Sequence, residues 1–101
     1  MSEQPNLIVA SRVISHFTIA LVISFEAGER REVSRLARQI VRAASDAGFP
    51  LIRSAADLVI SQLRESGPVL PHALDAGVVD LVVEVERTSS ALDSAAGAFT
   101  H

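Results

Sequence analysis

An all-α fold, an antiparallel four-helix bundle, is predicted by two features of the chain. Its glycines and prolines fall at points that divide it into four segments, and apolar residues inside those segments recur every three or four positions. Gly28, Gly48 and the Ser66-Gly67-Pro68 cluster each follow an apolar-periodic run, where a left-handed C-cap glycine or a helix-stopping proline belongs. The segments are residues 6–27, 29–47, 51–66 and 71–95, with a small-residue tail from about Ala95 to His101 expected to fray. At 101 residues the chain is one domain, 1–101, able to bury about two-thirds of the surface its unfolded form exposes.

The first segment places Ala10, Val13, Ile14, Phe17 and Leu21 on one side of a helix and Ile8, Ile19 and Ile23 on the other. A helix apolar on two faces must be covered twice, so a homodimer through this segment, with Ile8, Ile19 and Ile23 at the interface, is expected. The same run is rich in β-branched residues, and Asp80–Glu86 has a partial period-2 pattern. An α+β homodimer with strands near 7–26 and 78–87, serving as a structural or assembly module, is therefore the alternative.

The second segment is the clearest helix. Val33, Leu36, Ala37, Ile40, Ala43, Ala44 and Ala47 gather on one face, small enough to allow close helix packing. The third opens at Pro50, acceptable in a first helical turn, and aligns Ile52, Ala55, Val59 and Leu63. In the fourth, Pro71 opens a run in which Leu74, Val78, Leu81, Val82, Val85 and Leu92 recur at helical spacing, and Gly77 weakens it by about 1 kcal/mol relative to Ala.

Composition narrows the function classes. With no cysteine, disulfide frameworks, thiolate nucleophiles and cysteine zinc sites are excluded together, and a cytoplasmic location is expected. All nine basic residues are Arg. A net charge of −3 without Trp or Tyr argues against a nucleic-acid binder. The longest apolar stretch, Leu7 to Phe25, is interrupted by Arg12, His16 and serines and lacks the flanks of a signal peptide, so neither a membrane span nor export is expected.

From Phe25 to Leu63 the order of residue types resembles the histidine-phosphotransfer (HPt) domain of bacterial phosphorelays. Glu26-Ala27-Gly28-Glu29 matches the short turn before that family's active-site helix, and Arg35-Leu36-Ala37-Arg38 stands where the family typically reads Leu-Ala-His at its end. Gly48 lies ten residues beyond Arg38, at the usual helix-terminating glycine, and Ala55 and Leu58 continue the next helix. The resemblance implies an HPt-like bundle and, as partner, a response-regulator receiver domain or a histidine kinase. It departs from the family at the chemistry. The signature His-x-Leu-Lys-Gly reads Arg38-Gln39-Ile40-Val41-Arg42 here, and a guanidinium stays protonated and is no nucleophile near neutral pH. A non-catalytic, HPt-like binding module, rather than an enzyme, is expected.

Arg31, Arg35, Arg38 and Arg42 follow one another by four, three and four residues and form one stripe opposite the apolar face. Residues 29–47 carry a net +2 and the remainder −5, so the molecule is polarised. Like charges at these spacings repel by a few tenths of a kcal/mol per pair, so helix stability does not explain the stripe. An Arg-only chain also places Arg on any solvated face by default. In an HPt-like fold, however, Arg31, Arg35, Arg38, Gln39 and Arg42 occupy the face that docks the acidic phosphorylation pocket of a receiver, which an Arg fork suits.

The remaining candidates are weaker. His16, His72 and His101 have no metal-ligand spacing with a carboxylate on a shared face, so neither a metal nor a cofactor is expected. Phosphotransfer through a displaced His16 or His72 is a further alternative, though neither has the Lys and Gly surroundings that chemistry uses. Asp75, Asp80, Glu84 and Glu86 read as a solvated acidic face, with Asp80 and Glu84 outward together.

Overall fold

A computed structural model of the protein describes residues 6–65 and 73–98. Four helices follow one another: α1 (Leu7–Glu26), α2 (Arg30–Ala47), α3 (Pro50–Glu65) and α4 (Ala73–Ala98). Each packs on its neighbour in sequence and α4 closes against α1, while among the described residues no Cα of one helix comes within 8 Å of its diagonal partner's. Turns of three residues between α1 and α2, and of two between α2 and α3, force those neighbours antiparallel. The result is the expected antiparallel four-helix bundle.

Both turns depend on a glycine in the left-handed region. Gly28 has φ 73° and Gly48 φ 77°. After α1, the Glu29 amide donates to the Ser24 carbonyl at 2.9 Å. After α2, the Phe49 amide donates to the Ala44 carbonyl at 2.8 Å, and the Phe49 ring packs against the core. These bonds satisfy carbonyls that a helix end would otherwise leave orphaned.

No strand occurs among the described residues; 7–26 and 78–87, the strands of the α+β alternative, are both helical. Burial overrides β-propensity here. The start of α1 is fixed by Asn6, whose side-chain Oδ1 accepts from the Val9 amide at 3.2 Å. Its inward seam is Ser11, Ile14, Thr18, Leu21 and Ser24. The Ser11 hydroxyl donates to the Ile8 carbonyl at 2.9 Å and the Thr18 hydroxyl to the Ile14 carbonyl at 2.7 Å, which removes most of the cost of burying them. Val13, expected inward, is instead 43% exposed, because it sits about 100° round the helix from the deeply buried Ile14.

The core is one cluster in which Ile14, Leu21, Ile40, Ile52, Leu74 and Leu81 are fully buried. Burying each contributes about 1.5–3 kcal/mol. Val33, Leu36, Ala37 and Ala44 complete the inner face of α2, with Ala43 and Ala47 half-buried beside it. In α3 Ala56 is fully buried, and Ala55, half-buried, packs against the core beside it. In α4, Leu74, Val78, Leu81 and Val85 are buried, whereas Val82 and Leu92 are only half-buried. Helix α4 continues through residues 95–98, and 99–101 of the expected tail lie outside the described residues, as do Gly67, Pro68, Pro71 and His72.

Candidate functional site

Helix α2 presents two unlike sides. Ile40 is fully buried, while Arg38, two residues and so about 200° away, is exposed. Arg31, Arg35, Gln39 and Arg42 are exposed as well, so all five expected docking residues share the solvent side of one helix. The Schellman turn at Gly48 and the packed Phe49 hold the far end of that helix in place.

The stripe differs along its length in what its charges do. Arg35 is paired: its Nε donates to Glu32 Oε1 at 2.6 Å, and its Nη2 reaches the same oxygen. This pair is exposed and contributes little to stability. Arg31, Arg38 and Arg42 make no side-chain hydrogen bond or ion pair within the described residues. Three guanidinium groups therefore stand free on one face with their fork donors unspent.

Arg30, the fifth arginine of α2, turns inward. Its Nη2 donates to the Leu63 carbonyl in the last turn of α3, and its Nη1 is buried without a partner. It ties the start of α2 to the end of α3 and belongs to the scaffold. The sequence signal was available, since Arg30 lies one position off the four-three-four register of the stripe.

The other expected candidates are scattered. His16 is exposed on α1, and His72 and His101 lie outside the described residues. Asp75, Asp80 and Glu86 are exposed on α4, while Glu84 is half-buried, with Oε1 3.7 Å from Arg87 Nη1. Among the described residues no three His or acidic side chains are grouped as a metal site. Set against protein-family models, curated proteins and solved structures, the chain matches none.

A second surface lies between α1 and α4. Two adjoining shallow hollows share Val22 and Val82: Ile19 and Ile23 line one, and Val79 and Val83 the other. Ile19 and Ile23 are each 62% exposed, Val79 is 59% exposed, and Ile8 is half-buried. The α4 half of this surface was missed from sequence, although Val79 and Val83, one turn apart, fall off the Leu74, Val78, Leu81, Val85 core register.

Proposed function

We propose that the protein is a non-catalytic, HPt-like binding module of two-component signalling, which docks a receiver domain or histidine kinase through the outer face of α2. The observation that carries this reading is the row of exposed arginines on one helix, three of them without a partner among the described residues. Solvation alone stabilises such a row poorly, because neighbouring guanidinium groups repel. An acidic pocket of carboxylates, or an acyl phosphate on one of them, offers the fork-shaped acceptors that a guanidinium matches with two parallel bonds.

On this reading Arg38 points at the partner's acidic pocket, and Arg31, Gln39 and Arg42 fix the docking angle. No phosphoryl group moves, because Arg38 has no free pair of electrons to accept it. The module works by occupying the receiver or kinase in the cytoplasm, as an adaptor or a competitor.

The experiment is a binding titration of the purified protein against candidate receiver domains, comparing wild type with Arg38→Glu/Arg42→Glu. Affinity is expected to fall about tenfold or more and to weaken with added salt. Equal binding by the charge-reversed protein removes α2 as the docking face. Acid-labile label appearing on His16 or His72 after incubation with a phosphorylated receiver would instead favour transfer through a displaced histidine.

A further inference from the structure

Helix α1 carries two seams, one turned into the bundle and one turned out of it. The outer seam is Arg12, His16, Ile19, Ile23 and Glu26, spaced four, three, four and three residues apart, and every member is exposed. This is the spacing at which one helix packs along another. The order of residue types along it is cation, histidine, Ile, Ile, carboxylate, and that order decides what can cover it.

We propose that this seam pairs with the same seam of a second copy of the chain, antiparallel, so that Ile19 packs on Ile23 of the partner subunit and His16 meets the partner's Glu26 at both ends. A two-fold axis between Ile19 and Ile23 repeats each contact twice, as a self-complementary interface requires. The neighbouring antiparallel register sets Ile23 against the partner's Arg12 and leaves both apolar layers broken. A parallel pairing stacks His16 on the partner's His16 and carboxylate on carboxylate. Only one arrangement therefore covers both isoleucines and pairs opposite polarities. Arg12, one turn further out, meets the partner's turn, where the partner's Glu29 is exposed and the partner's Arg30 is turned inward.

The α4 wall widens the contact. Val79 and Val83 are exposed in the hollow that adjoins the one lined by Ile19 and Ile23, and half-buried Val22 and Val82 are common to both. A lipid bilayer is the rival cover, since α1 is long and apolar enough to cross one by length and composition. It would have to take in Arg12 and His16 on the side of the helix that faces outward. The band contains none of the α2 arginines, so this proposal stands apart from the docking of a receiver.

The test uses the full chain. Light scattering at about 10–100 µM is expected to give twice the 10.7 kDa chain mass, and a monomer overturns the proposal. Ile19→Ser/Ile23→Ser, which alters only exposed side chains, is expected to keep its helical circular dichroism while dimerisation weakens about a hundredfold or more. A dimer unaffected by that change also overturns it. Because the chain has no cysteine, register is read directly from His16→Cys and Glu26→Cys. Mild oxidation is expected to cross-link a mixture of the two and neither protein alone. Cross-linking of His16→Cys with itself, or none in the mixture, refutes the antiparallel register. Sedimentation of wild type with phosphatidylcholine vesicles would assign the seam to lipid instead, and the protein is expected to stay in the supernatant.

Discussion

A Cβ placed on Gly77 of α4 would lie 2.5 Å from Oε1 of Gln62 on α3, and that oxygen is buried without a hydrogen-bond partner. The glycine looks obligatory on distance alone. The side-chain amide of Gln62, however, gives up no bond by swinging aside, and the nearest atom outside Gln62, Val59 Cγ2, is at an ordinary 3.7 Å. Gly77→Ala is expected to raise stability by about 0.5–1 kcal/mol, the helix-propensity difference, which for a chain of this size is a few degrees in Tm. Thermal unfolding followed by circular dichroism checks it, and a fall in Tm would show that Gln62 cannot move.

Gly48 should behave oppositely. There is open space around it, but its φ of 77° is one an L side chain rarely adopts. Gly48→Ala is expected to cost about 1–2 kcal/mol in a denaturant titration, through backbone strain rather than a clash.

Arg30 and Arg31 are adjacent in sequence and differ in role. Arg30→Ala removes the donor to the Leu63 carbonyl and is expected to cost about 1–2 kcal/mol, discounted from a charged hydrogen bond because the side chain is only half-buried. Arg31→Ala, exposed and unpaired, is expected to stay within about 0.5 kcal/mol of wild type. Equal effects in urea titrations would remove the scaffold role given to Arg30.

Arg38 and Ile40 give the matching contrast for function. Ile40→Ala empties a fully buried site and is expected to cost about 2–5 kcal/mol, enough to unfold much of a marginal domain. Arg38→Ala is expected to leave the melting curve unchanged and to alter only binding, so that fold and docking separate in paired measurements.

The four helices and both glycine turns were legible in the sequence, because the core residues of α2 and α4 keep helical register and glycine is the residue suited to a left-handed φ. The solvent placement of the α2 arginines followed from the same register. The rotation of α1 did not. Its apolar residues spread almost all the way round, so no single face announces itself, and the inward seam proved to include Ser11, Thr18 and Ser24. The burial of Ser11 and Thr18 depends on hydroxyls bonding back to the preceding turn, a local device that apolar periodicity ignores. Arg30 falls outside the four-three-four register of the stripe, but register alone does not show what an off-stripe arginine bonds, and the reach to the Leu63 carbonyl comes from the structure.

That hydroxyl-lined seam also fixes where the bundle should come apart first. Detaching α1 bares two fully buried apolar side chains, Ile14 and Leu21, with Phe17, Val22 and Phe25 already partly exposed, whereas detaching α2 bares Val33, Leu36, Ala37, Ile40 and Ala44 together. Amide hydrogens of α1 should thus exchange with solvent at a lower opening free energy than those of α2, and the chain should unzip from its N-terminal helix. If the outer seam is held by a second copy, dilution would release that clasp and speed exchange in α1 before any other helix.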